Sequence, residues 1–198
     1  MASPYFFSGA GTGRNHALAP NPLKFMLKVV LCSSMNNARI LIQAGCSADI
    51  VAHCIVVSQL ALSISELATV AIDQELVQQG GLFHDIGRSR THGIEHALAG
   101  VEIAKKLGFS EQLINIIERH IGAGITEAEA VKLGLPKKDY IPLTPEEKIV
   151  SYADNLINGV RKMPFPEALY RFKIILGPEH EGVELFLKQH HEIQSWIK

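Results

Sequence analysis

Residues 80–96 read GGLFHDIGRSRTHGIEH. Leu82, Phe83 and Ile86 are side chains for an interior, and the stretch has the look of a buried helix coming to its end. Into it the chain sets His84 beside Asp85, with His92 and His96 close behind. Successive residues inside a helix point about 100° apart, so an adjacent His-Asp pair there would diverge. Where a helix frays, the backbone can turn both side chains toward one ion. The pair is unusual as packing and sensible as chelation.

Outward from this stretch the punctuation is helical. NNARILIQA runs to Gly45, suited to a left-handed C-cap. Ser47 can cap a helix in which Ile50, Val51, Cys54, Val57, Leu60, Ala61 and Ile64 recur at helical spacing. Asp73 opens the helix that ends around His84-Asp85, and another is expected over about 94–107. Ser110 opens a further one, with Leu113, Ile114, Ile117 and Ile121 on one face. Thr126-x-x-Glu129 and Thr144-Pro145-Glu146-Glu147 both fit the capping box. PEALYRFKIIL, up to Gly177, and PEHEGVELFLKQHHEIQSWI complete the chain. No run of alternating β-branched residues competes. The expectation is an all-α fold, a compact bundle of about seven or eight helices.

Residues 1–34 differ in composition, being rich in Gly, Pro, Ser and Asn, and no acidic residue precedes Asp49. They are read as a poorly ordered N-terminal appendage, and residues 35–198 as the folded domain. FMLKVVLC is too short to span a bilayer, and GAGTG lacks the preceding strand that a phosphate loop needs. The 198 residues suffice for one domain, with 47% hydrophobic and 20% charged side chains arguing against disorder. A net charge of −1 gives no footprint for nucleic acid or an anionic membrane. Cys32, Cys46 and Cys54 form no CxxC pair, which points to a reducing compartment and a cytoplasmic protein. The subunit is expected to act as a monomer or homodimer.

Histidine is the unusual component, with nine in the chain. His53 falls among Val51, Cys54 and Val57; His96 falls on the first turn of its helix, and His120 near the end of the next. Asp154 interrupts the apolar IVSYADNLI. Singly, a histidine on an apolar face is a core residue with a satisfied ring, and an aspartate caps a helix or pairs with arginine. Together they amount to a polar interior that costs several kcal/mol per uncompensated charge, on the order of a small domain's whole stability. One or two divalent ions would resolve this, and imidazole with carboxylate suits Fe, Mn, Co, Zn or Mg.

The ordered set His53, His84-Asp85, Asp154 resembles the signature of the HD superfamily of metal-dependent phosphohydrolases. His96 and His120 resemble the extra histidines of the subset with two metals. HDIGRSRTHGIEH, ERHIGAGIT and ADNLI are similar to an uncharacterised HD family common in archaea, with likeness also to HD hydrolases of diadenosine tetraphosphate. The resemblance spans roughly residues 35–160. It implies that His53, His84, Asp85 and Asp154 hold a first metal, and that Asp85 bridges to a second completed by His96 and His120. Asp85 and Arg88 would be catalytic, and Arg88, His92 and Arg161 would contact substrate phosphate. Arg88 stands where many members have lysine; its fork suits bidentate contact. His92 could instead be a loop histidine or replace His96 as ligand.

The implied reaction is hydrolysis of a phosphoester or phosphoanhydride in a nucleotide or small phosphorylated metabolite, through a metal-activated water. Two other classes stay open: a non-catalytic nucleotide-sensing module, and a di-iron HD oxygenase with the same ligand types. By residue type Arg119 and Arg161 read first as solvated charges, and His180, His190 and His191 as a solvated helix face. Cys54 reads as core filling, and His16 belongs to the appendage.

Overall fold

Five helices of this chain start on a side chain that accepts the backbone N–H three residues on. Ser47 caps α2 (Ala48–Leu67), Asp73 caps α3 (Gln74–Phe83) and Ser110 caps α5 (Glu111–Arg119). Thr126 caps α6 (Glu127–Lys132), and Thr144 caps α7 (Pro145–Asn155), which carries Pro145 in its first turn. The computed structural model describes residues 37–197, so the expected appendage over residues 1–34 lies outside the described residues. Among the described residues, α1 covers 37–44, a 3-10 turn covers Ile86–Ser89, and α4 runs from His96 to Lys106. A two-strand hairpin, β1 (Ile157–Asn158) and β2 (Arg161–Lys162), leads to α8 (Phe165–Leu176) and α9 (Glu181–Trp196).

The fold is therefore all-α, with nine α-helices among the described residues where about seven or eight were expected; α6, of six residues, is the marginal one. The hairpin was not expected either. Leu156 caps α7, and Gly159 then takes φ 63°, which lets Met163 N–H return to the Leu156 carbonyl at 2.8 Å.

The core has two main parts. Val57, Ala61, Ile116, Ile149, Val150, Phe186 and Ile193 fill the space between α2, α5, α7 and α9. Leu41, Cys54, Leu82, Phe83, Ile86 and Ile117 fill the space beneath α1 and α3. The helix α2 is apolar and long enough to cross a membrane by length and composition, but its inward stripe from Cys54 to Ser65 is packed against protein.

Two glycines set the distances that matter for the site. A Cβ on Gly81 would stand 2.6 Å from Ser58 Cα, so α3 can lie directly against α2 only with glycine there. A Cβ on Gly87 would stand 1.9 Å from the His96 carbonyl oxygen, so the turn after Asp85 and the start of α4 touch backbone to backbone.

The C-terminal helix departs from expectation. It starts at Glu181 rather than Pro178, with His180 as its N-cap accepting from Gly182 N–H. His190 is not on a solvated face: it stacks flat on Phe165 at 3.5 Å and lies 2.6 Å from the Tyr152 hydroxyl. Burial pushes the Tyr152 phenol up to about 12, so the hydroxyl keeps its proton while hydrogen-bonded to His190 Nδ1. His191 is exposed, as expected.

Candidate metal centre

The six expected ligands come from five different helices. His53 lies in the second turn of α2, His84 is the C-cap of α3, and Asp85 is the link to the 3-10 turn. His96 is the first residue of α4, His120 the C-cap of α5, and Asp154 the last but one of α7. His84 keeps helical backbone angles and Asp85 leaves them, at φ −98° and ψ 14°. The helix end thus swings the two neighbouring side chains inward together, as the adjacency of the pair suggested.

All six meet. His53 Nε2 stands 2.9 Å from Asp154 Oδ1, and His84 Nε2 stands 3.5 Å from the same oxygen. Asp85 divides its carboxylate: Oδ2 faces His84 at 3.7 Å and His53 at 3.9 Å, whereas Oδ1 faces His96 at 3.1 Å and His120 at 3.4 Å. His96 and His120 bring their Nε2 atoms within 3.0 Å of one another.

The other ring nitrogens explain the orientation. Each Nδ1 lies 2.7–2.8 Å from a backbone carbonyl: Gly159 for His53, Gly81 for His84, Gly93 for His96 and Ile117 for His120. A carbonyl only accepts, so every Nδ1 carries a proton and donates it. In the neutral rings every Nε2 then turns a lone pair toward the centre, the tautomer metal-ligating histidines adopt. Four imidazole nitrogens and two carboxylates converge, with Arg88 Nε–H donating to Asp85 Oδ2 from the cavity side. His84 Nε2 and Asp85 Oδ1 are buried without a hydrogen-bond partner. Such a set calls for a shared positive charge, a proton on His84 in the bare cluster, and its donor chemistry fits a divalent metal. Two subsets have ligand atoms close enough for one ion: His53, His84 and Asp154, and His84, Asp85 and His120.

The ionisation of the bare cluster follows the same logic. Burial opposes charge on His84, but Asp85 and Asp154 outweigh it and push its pKa up to about 9. Burial also opposes charge on the carboxylates; His84 and the other rings nevertheless hold Asp85 and Asp154 well below the usual carboxylate range. Burial keeps His120 below the ordinary imidazole value.

A cavity of about 510 Å³ opens beside the cluster and reaches His53, Asp85 and Asp154. Arg88 and His92 line it. Arg88 donates Nε–H to Asp85 Oδ2 at 2.6 Å and NH1 to the His92 carbonyl at 3.4 Å. Arg161 does not line the cavity: its guanidinium is bound to Glu167 at the start of α8. Arg119 is no solvated charge but pairs with the buried Glu147 at 3.0 Å. The cavity wall instead includes Asn155, Arg171 and Phe172, none of which sequence reasoning singled out. Asn155 adjoins Asp154, which was a signal; Arg171 sits in a helix read only for its amphipathic pattern.

The HD domain family model matches residues 50–159. An uncharacterised protein of Methanocaldococcus jannaschii is 50% identical over 157 residues, covering 77% of this chain and 92% of that one. A tRNA (cytidine(56)-2'-O)-methyltransferase of Picrophilus torridus is 42% identical over 146 residues, 74% of this chain, and this similarity spans 42% of that enzyme. The HD domain of the L. monocytogenes phosphodiesterase PgpH, solved with cyclic-di-AMP, shares the fold with a TM-score of 0.50 at 14% identity, over 81% of this chain and 94% of that one. Family match, relative and fold agree with the cluster: this chain belongs to the HD domain family.

Proposed function

We propose that the chain is a metal-dependent phosphohydrolase acting on a nucleotide or another small phosphorylated compound. The observation that carries this is the divided carboxylate of Asp85, each oxygen facing its own pair of imidazole nitrogens. That arrangement suits a bridge between two ions. His53, His84 and Asp154 would hold one, His96 and His120 the other. Bound there, divalent ions supply Lewis-acid charge stabilisation and lower the pKa of a water to near neutral.

The chain's own groups do the rest. Arg88 lines the cavity with N–H groups left over from its bond to Asp85, and those meet a non-bridging phosphate oxygen. His92, exposed on the same wall, offers a second contact. Asp154 has 23% of its side chain exposed against 6% for Asp85, so Asp154 is the carboxylate placed to orient an attacking water. Asp85, more enclosed, holds the centre together.

A second reading, an RNA phosphodiester as substrate, is favoured by the name of the tRNA methyltransferase relative. One experiment addresses both. The purified chain, loaded with Mn, Fe, Co, Mg or Zn, is tested on a panel of nucleotides, phosphorylated metabolites and short RNA, with metal content measured in the same preparation. Phosphate release or nucleotide cleavage that vanishes in His84→Ala and Asp85→Ala supports the hydrolase. Oxygen consumption without hydrolysis would replace it with the oxygenase reading, and nucleotide binding without turnover with the sensor.

A further inference from the structure

We propose that Arg171 and Asn155 form a second point of anion recognition in the cavity, so that the compound cleaved there carries a further phosphate or carboxylate on its organic part. This rests on the hydrolase reading of the His/Asp cluster. Arg88, Arg90, Arg119 and Arg161 each pair with a carboxylate. Arg171 lines the cavity and has no ion-pair or hydrogen-bond partner among the described residues. A weakly hydrated guanidinium with all five N–H donors free is suited to grip an oxyanion at two points.

Asn155 is the independent observation. It is 8% exposed, it lines the same cavity, and its Nδ2 is buried with nothing to accept from it. A buried amide N–H without an acceptor costs free energy, which an oxygen of the ligand would recover once the Asn155 amide turns its Nδ2 toward the cavity. The two residues come from different helices, α7 and α8, and line the same cavity.

The rest of that wall says what lies between the two anions. Phe172, Ile175 and Leu176 line the cavity beside Arg171. Ile175 is 65% and Leu176 41% exposed, apolar surface that an organic moiety would cover. The wall is also fixed: Phe172 stacks on Phe186 of α9 at 4.4 Å, and Ala168 on α8 is fully buried. Asp49 also lines the cavity; it and Arg171 are both exposed, so solvent screens the two charges alike and the grip of Arg171 rests on its unpaired N–H fork. The family match ends at residue 159, so Asn155 lies within it and Arg171, on α8, lies beyond it.

A matched pair of chromogenic probes tests the proposal: thymidine 5′-(p-nitrophenyl phosphate), and the same compound with a 3′-phosphate. Both break the same bond and differ only in the second anion. The full chain with metal should show a KM at least about fivefold lower for the bisphosphorylated probe at similar kcat, and Arg171→Gln should abolish that preference. Arg171→Lys should restore part of it, because the charge returns without the fork. Unchanged discrimination in Arg171→Gln overturns the proposal. If the wild-type chain cleaves neither probe, binding decides the subsite, and the hydrolase reading is judged by the substrate panel. Calorimetry with propane-1,3-bisphosphonate against propylphosphonate then decides the subsite: tighter binding of the bisphosphonate that Arg171→Gln abolishes supports it, and equal binding in both proteins overturns it.

Discussion

Arg119 and His120 are neighbours at the end of α5, yet they enter two buried polar clusters of opposite character. Arg119 reaches Glu147 on α7, whose two carboxylate oxygens both accept from the guanidinium at 3.0 Å; one of them also accepts Leu143 N–H at 2.8 Å. Both buried carboxylate oxygens there have donors. His120 reaches the Asp85 cluster, two turns along α7, where acceptors face acceptors and two buried atoms have no partner. The same pair of helices thus builds one network that is complete in itself and one that needs a cation. Completeness marks the structural cluster, and incompleteness marks the functional one.

Asp85→Asn breaks the contrast most severely. It removes the shared anion, so bound metal should fall, and with it kcat/KM by about 1000-fold or more. Elemental analysis and phosphate release measure the two losses together. Full metal retention in Asp85→Asn would refute the shared-carboxylate arrangement.

Glu147→Ala is the mirror experiment. It strands the Arg119 guanidinium and the Leu143 N–H without acceptors, and Arg119 keeps 21% of its side chain in solvent, which softens the effect. A loss of about 2–3 kcal/mol in urea unfolding is expected, with metal content and kcat per folded molecule unchanged. A fall in metal content comparable to that of Asp85→Asn would show that the two clusters are one.

The two clusters also differ in what the sequence discloses. Metal ligation needs His and Asp at positions where apolar packing would otherwise win, so His84-Asp85 and Asp154 stand out against their neighbours. The helix starts were legible because Ser, Thr and Asp occupy the caps. Glu147 was legible only in part. Its N–H does bond Thr144 at 3.3 Å as in a capping box, but its carboxylate turns to Arg119, a long-range partner that no local pattern encodes. His190 was misread for the same reason: its stacking on Phe165 depends on how α8 folds back over α9. Arg171 was missed because a lone arginine on an amphipathic helix reads as a solvated charge until the cavity beside it is seen.

Within the metal cluster the pH response has two signs. In metal-stripped protein the His84 pKa of about 9 lies above the ordinary 6.5. The stability this lends is fully present below pH 6.5 and is lost as the pH rises through about 9. Asp85 and Asp154 are depressed, so their contribution is present above the ordinary 3.8 and is lost as the pH falls through their lower folded values. Metal must displace the His84 proton, so its apparent affinity should weaken by up to about tenfold per unit as the pH falls from about 9 toward 7. Thermal midpoints against pH, with and without metal, check this: the stripped protein should lose stability above pH 7 while the loaded one does not. Parallel curves would mean that His84 carries no proton for the ion to displace.

The smallest effect is the most discriminating. Asn155 belongs to neither pattern, being a buried amide with an orphan donor at the edge of the functional cavity. If it were structural, replacing it would cost stability, as at Glu147. Asn155→Leu keeps the volume and removes the unsatisfied donor, so unfolding free energy should stay level or rise by up to about 1 kcal/mol. The KM for a bisphosphorylated substrate should rise severalfold at constant kcat. A gain in stability matched by weaker substrate binding would place Asn155 with the incomplete cluster, since only a residue kept for a ligand leaves the folded chain better off without it.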